Sequence, residues 1–250
     1  ALVKQWNSPA RKGHENQKGE TMVKNWQKVI LVCFSAMMFC LAGYPVEAET
    51  AKHLVIIDPS HGGNDTGVIG VDDVAEKDIT LALSLALQKE LVKEGHIEVV
   101  LTRNTDKSLS VEERKKMIAK LNPSMVLSLH ANAGFGKTSS GYELYYPGFN
   151  QEESVSKTGK PDNVKNPSRK HLNDTVKLAR LLQRNLDALF PRKNRGLREA
   201  GVPLAEGLSV PVLIVELGFV TNPDEKKKLT SVKTQTDIAR ALARSIKAFF

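Results

Sequence analysis

Two histidines in this sequence stand where short apolar runs end. His61 follows Leu54-Val-Ile-Ile-Asp58, and His130 follows Met125–Leu129. A carboxylate, Glu216, lies inside Val-Leu-Ile-Val-Glu-Leu-Gly-Phe-Val, a run apolar enough to be buried. Burying it costs several kcal/mol unless it is paired, protonated or beside a metal. Two neutral imidazoles and one carboxylate make a zinc site with a fourth position left for water. Such a zinc polarises a carbonyl and brings the pKa of water toward neutrality. A second carboxylate outside the ligand set would take the proton of that water and give it to a leaving amine. Glu76 is a further candidate carboxylate, although at a helix start an acidic residue by itself only complements the helix dipole. Residue types alone leave open which carboxylate takes which role. His53, His96 and His171 sit at element boundaries and read as ordinary surface histidines. No serine lies in a Gly-x-Ser-x-Gly elbow, so no rival nucleophile is offered.

The elements around these residues alternate in type. Apolar runs at 54–58, 97–102, 125–129, 142–146 and 211–217 read as strands, with 202–205 as a short one between the last two. Ile79, Leu83, Ala86, Leu87 and Leu91 fall at helical spacing between Glu76 and Glu94. Ser110 and Glu113 form a capping box for a helix over 111–121, closed by Asn122-Pro123. Further helices are expected over 173–190, up to Leu229, and over 235–249; 147–170 reads as a polar surface loop. The pattern predicts an α/β fold: a single domain with a mostly parallel, twisted central sheet of about six strands flanked by helices. In such sheets, sites form outside the carboxyl ends of the strands. That rule selects Asp58, His61, Arg103, His130, Asn132 and Glu216.

The chain has 250 residues, 41% hydrophobic and 26% charged, which excludes collagen, a disulfide scaffold and a wholly disordered protein. Residues 1–21 are a polar leader to which no role is assigned. Met22, Lys24 and Lys28 precede an apolar run of 15 residues from Val29 to Gly43, and Val46-Glu47-Ala48 has small residues where a signal peptidase reads. We read 22–48 as a signal peptide cleaved after Ala48, too short in its apolar part for the ~20 residues of a membrane span. Both cysteines, Cys33 and Cys40, leave with it. The exported part, 49–250, then has no thiol, disulfide or CxxC chemistry. Its net charge falls from +8 to +5. That excess is too mild to define a nucleic-acid partner, and no aromatic-basic stripe accompanies it. Lys226-Lys227-Lys228 reads as a solvated helix face.

Ile57-Asp58-Pro59-Ser60-His61-Gly62-Gly63, Glu76-Lys77-Asp78, Thr102-Arg103, Ser128-Leu129-His130-Ala131-Asn132-Ala133, Asn194-Arg195-Gly196 and Val215-Glu216-Leu217-Gly218-Phe219 appear in an order that closely resembles the zinc-dependent N-acetylmuramoyl-L-alanine amidases of the Amidase_3 type. The resemblance runs from about residue 54 to the C-terminus. It implies Zn2+ bound by His61, Glu76 and His130, with Glu216 as the catalytic glutamate. It also implies cleavage of the amide between N-acetylmuramic acid and L-alanine, with the muramyl stem peptide of peptidoglycan as partner. Arg103, Asn132 and Arg195 are the expected substrate contacts, with a structural role as the alternative for each: Arg103 could cap the turn and Asn132 could fix the loop after His130. Ser60 stands where the family has glycine, which matters if that position needs a positive φ. The loop 147–170 is too short and polar for the inhibitory helix of the cell-division branch, so an open site is expected. An exported enzyme of the periplasm or cell wall follows, with no stable membrane insertion after signal cleavage. The competing readings are a catalytically dead wall-binding module, against which the intact His61, Glu76, His130 and Glu216 set argues, and a zinc peptidase, which only the family blocks disfavour.

Overall fold

Side-chain alternation along the strands gives the sheet two unlike faces and thereby fixes where chemistry takes place. The computed structural model describes residues 52–93, 95–148 and 169–250. The leader at 1–21, the signal at 22–48 and most of the 147–170 loop therefore lie outside the described residues. The strands are β1 (His53–Pro59), β2 (Ile97–Leu101), β3 (Met125–Asn132), β4 (Tyr142–Pro147), β5 (Asn194–Ala200) and β6 (Val212–Phe219). They lie side by side in the order β2-β1-β3-β6-β4-β5. β1 pairs parallel with β2 and β3, and β3 pairs parallel with β6. β4 joins β6 antiparallel and carries β5 parallel to itself. The expected α/β architecture, a six-stranded and mostly parallel sheet, is the one observed, with one antiparallel seam.

One face takes Val55, Ile57, Leu127, Leu129, Leu213 and Val215 into the main core. Three helices cover it: α1 (Glu76–Leu91), α3 (Arg169–Leu189) and α5 (Val232–Lys247). Leu83 and Leu87 of α1, Leu182 and Leu186 of α3, and Leu242 and Ile246 of α5 are fully buried there. Each such side chain contributes about 1.5–3 kcal/mol by leaving water. On the other face, Ile56, Val126 and Val212 are covered by Ile118 of α2 (Val111–Leu121) and by the segment from Val202 to Val210. Further along that face the residues turn polar: Ile56 gives way to Asp58, and Val126 to Ser128 and His130. A short α4 (Pro223–Leu229) follows β6.

Several elements differ from their expected bounds. The strand expected at 202–205 is a 3-10 turn, Pro203–Ala205. Pro203 has no N–H for a ladder and fixes its own φ. The strand instead is Asn194–Ala200, polar and on the sheet edge, where one side needs no apolar alternation. The helix expected to reach Glu94 ends at Leu91, α3 begins at Arg169, and α5 runs Val232–Lys247. The capping box of α2 forms as expected: Ser110 Oγ accepts from the Glu113 N–H, and the Ser110 N–H donates to Glu113 Oε2 at 2.8 Å.

The turn after β1 is held from behind by two guanidinium groups. Arg114 donates to Asp58 Oδ1 at 2.6 Å, to the Pro59 carbonyl at 2.8 Å and to the His61 carbonyl at 2.7 Å. Arg103 donates to the carbonyls of Pro59, Ser60, Lys77 and Thr105. Asp58 also accepts from Ser128 Oγ and Thr102 Oγ1. Arg103 is thus a buried brace for the turn, its donors bound to backbone oxygens and to Thr80 Oγ1. His61 itself adopts φ 60, and Gly62 and Gly63 follow at φ 133 and 59. Ser60 stays outside the left-handed region, so a serine there carries no backbone strain. Replacing Arg114 with alanine leaves Asp58 as an uncompensated buried charge. We expect R114A to lose about 3–5 kcal/mol of stability, read as a lowered midpoint in urea denaturation.

Candidate active site

Glu76 is the first residue of α1, and its carboxylate is buried under the turn. The positive end of the helix favours it there. Oε1 accepts from the Ala131 N–H at 3.0 Å and Oε2 from the Val68 N–H at 3.0 Å. His130 Nδ1 lies 3.2 Å from Oε1, and His61 Nε2 lies 3.2 Å from Oε2. Ser60 Oγ approaches Oε1 at 3.4 Å. The two imidazoles meet edge to face, with centroids 5.6 Å apart. One donor atom from each of His61, Glu76 and His130 falls within 4.8 Å of the others. Nitrogen, nitrogen and carboxylate oxygen at that spacing suit a catalytic zinc centre, and the three residues fit the ion.

Two residues that sequence reading did not single out shape this cluster. Asp65 Oδ2 lies 2.9 Å from His61 Nδ1, which leaves Nε2 facing Glu76. A carboxylate behind a ligand histidine fixes its ring and tautomer. Asp65 Oδ1 accepts from the Gly67 N–H. Gly67, at φ 62, passes so close that a Cβ would stand 2.6 Å from His61 Cδ2 and 2.7 Å from Glu76 Oε2. The only sequence signal for either was membership of the Gly-rich stretch after His61.

The charges bias one another strongly. Hydrogen bonding to Glu76, against the opposing effect of burial, raises the His61 pKa to about 9. Burial pushes Glu76 upward, but His130, His61 and the two backbone N–H groups hold it well below the usual carboxylate range. Glu216 goes the other way. Burial raises it to about 7, with Glu76 and Glu143 adding to the rise and His130 opposing it. Glu216 Oε2 is buried with no hydrogen-bond partner among the described residues.

Register explains the neighbours of Glu216. It pairs with His130 across β3 and with Glu143 across β4. Glu143 is buried and accepts from Tyr145 Oη at 2.7 Å, from Arg195 Nε at 2.9 Å and from Asn132 Nδ2 at 3.4 Å. Burial acts to raise its pKa, yet Tyr145 and Arg195 keep it below the ordinary range. Of the expected substrate contacts, Asn132 and Arg195 thus gather on Glu143. A cleft of about 620 Å³ opens beside His61 and His130, walled in part by Leu109, Val111, Val202 and Leu204.

A sequence model of the family described as N-acetylmuramoyl-L-alanine amidase, Amidase_3, matches residues 55–248. The N-acetylmuramoyl-L-alanine amidase AmiC of Escherichia coli is 26% identical over 222 residues, covering 79% of this chain. The chain spans about half of that relative, 52% of its length. Among solved structures, the catalytic domain of CwlV from Bacillus (Paenibacillus) polymyxa superposes with a TM-score of 0.65 at 26% identity, covering 79% of this chain and 97% of that one. AmiC2 of Nostoc punctiforme gives 0.66 at 27% identity, covering 80% and 98%.

A metal entering the cluster must displace the proton that His61 holds below pH about 9. Zinc affinity, measured by competition with a chelator, is expected to climb as pH rises from 6.5 toward 9 and to level off above it. A flat profile over that range would place the proton elsewhere.

Proposed function

This chain belongs to the N-acetylmuramoyl-L-alanine amidase family, and from that membership we propose an exported cell-wall hydrolase that cuts the amide between N-acetylmuramic acid and the L-alanine of the stem peptide. Residues 22–48 would direct export to the periplasm or wall, and 49–250 would form the catalytic domain. The charged start and short apolar run of the signal support this, as does the match over 55–248. Among the described residues no helix is long and apolar enough to cross a membrane.

His61, Glu76 and His130 hold the ion in this reading. Bound there, zinc supplies Lewis acidity toward the amide carbonyl and toward water. Asp65 keeps His61 turned toward the centre. Glu216 takes a proton from the attacking water and returns it to the departing nitrogen of L-alanine. A proton affinity near neutrality suits both transfers, since the group must accept and release within one cycle. The products are a muramic acid lactyl carboxylate and a stem peptide with a free L-alanine amine. The observation that carries the assignment is Glu216 itself: a carboxylate with a buried, unpartnered oxygen, cross-strand from His130.

Digestion of muropeptides with the purified protein should release stem peptides with an L-alanine amino terminus, and a chelator should stop it. New amino groups at other peptide bonds would favour a peptidase. E216Q should retain zinc and slow turnover by about 10²–10⁴-fold. Near-normal rates in E216Q would remove Glu216 as the proton carrier.

A further inference from the structure

Arg195 is exposed, yet it is fixed on two sides. Its Nε donates to Glu143 Oε1 at 2.9 Å, and its guanidinium carbon lies 5.0 Å from the centre of the Phe219 ring. Contact with an aromatic face and a charged hydrogen bond together restrain a side chain that otherwise samples many rotamers. The backbone serves the same end. Tyr142 pairs with Asn194 and Leu144 with Leu197, so Arg195 and Gly196 together oppose Glu143 as a bulge, with Gly196 at φ 110. Bulges beside a site re-aim side chains. β6 bulges as well: His130 pairs with Glu216 but Asn132 with Phe219, which leaves Leu217 and Gly218 opposite Ala131. The two irregularities bring Phe219 and Arg195 together. The terminal Nη1 and Nη2 groups of Arg195 have no hydrogen-bond partner among the described residues.

We propose that Arg195 is a preset fork for a carboxylate on the peptide side of the substrate, the free α-carboxylate of a γ-linked glutamate directly after L-alanine. The inference rests on the amidase reading above. In that substrate the lactyl carboxyl of muramic acid is consumed in the scissile amide, so the anionic groups lie on the peptide side. The first of them belongs to the residue after L-alanine. Glu143, which anchors the fork, is the cross-strand neighbour of Glu216. Neighbouring strands are ~4.8 Å apart, so the fork stands roughly one or two strand spacings from the proton carrier. That is the reach of one further residue beyond the cut. A planar guanidinium whose two terminal N–H groups are unpartnered among the described residues is matched to a carboxylate. An amide in the same place presents one oxygen and its own donors.

Calorimetric titration with the γ-methylamides of L-alanyl-D-glutamate and of L-alanyl-D-isoglutamine, which differ only in a free α-carboxylate against an α-amide, tests this, alongside cleavage of muropeptides carrying each. The protein should bind the acid about tenfold to a hundredfold more tightly than the amide, the range of a charged hydrogen bond. R195Q should abolish that ratio and R195K restore part of it. R198Q removes a second contact of Glu143, 3.3 Å away, without touching the fork, and should keep the ratio. Equal binding of acid and amide overturns the proposal, as does a ratio that survives R195Q or one lost equally in R198Q. The two readings fail separately. Cleavage without discrimination leaves the amidase and removes the fork; discrimination in binding without cleavage leaves the fork and removes the amidase.

Discussion

A histidine does not hold φ 60 unaided, and the site depends on the two arginines that keep it there. The left-handed region costs a non-glycine residue about 1–3 kcal/mol. Arg103 and Arg114 bond the carbonyls of Pro59, Ser60 and His61, so the turn has no alternative path with its oxygens satisfied. A buried ion pair such as Arg114–Asp58 adds little net stability over an apolar substitute. What it adds here is position. Ser128 and Thr102 complete the hydrogen bonding of Asp58, tying β1, β2 and β3 to the same carboxylate. With the turn fixed, donor atoms of His61 after β1, Glu76 at the start of α1 and His130 near the end of β3 come within 4.8 Å of one another.

The second organising feature is the antiparallel seam between β6 and β4. It turns β4 and β5 around, so that their first residues lie at the same sheet edge as the last residues of β1, β3 and β6. Glu143 and Arg195 reach the site by that route. The result is a row across four strands: His130, Glu216, Glu143 and Arg195. Its two central carboxylates, Glu216 and Glu143, are adjacent, with His130 on one side and Arg195 on the other. There the partnered Glu143 is held below the ordinary carboxylate range, while Glu216, whose buried Oε2 has no hydrogen-bond partner among the described residues, is raised by burial to about 7.

The sheet order explains what could be read from residues alone. Apolar runs located five strands, and helical spacing located the helices to within a turn, because both report the main core directly. The rule for carboxyl ends reached His61, His130 and Glu216 for the same reason. It was blind to Glu143, which begins a reversed strand and looks in Tyr-Glu-Leu-Tyr-Tyr like an outward residue between core positions. β5 was missed because an edge strand of Asn-Arg-Gly-Leu-Arg-Glu-Ala has no alternation to show. Arg103 could be read as a substrate contact or as a cap for the turn, because a basic residue after a strand looks the same whether it points outward or folds back under a neighbouring turn. Glu76 by its type alone was only a helix-dipole partner, and the family blocks gave it a larger role.

The unequal covering of the sheet separates two kinds of mutational load. Three long helices pack on one face, while the reactive face is roofed by one short helix and an irregular segment around Pro203. Local opening is easiest where few buried apolar contacts are lost. The roof over the cleft is thus the layer that can loosen while the helical side remains folded. Sequence drift in that roof would reshape the cleft at small expense to the scaffold, giving one framework room to accommodate walls of different chemical detail.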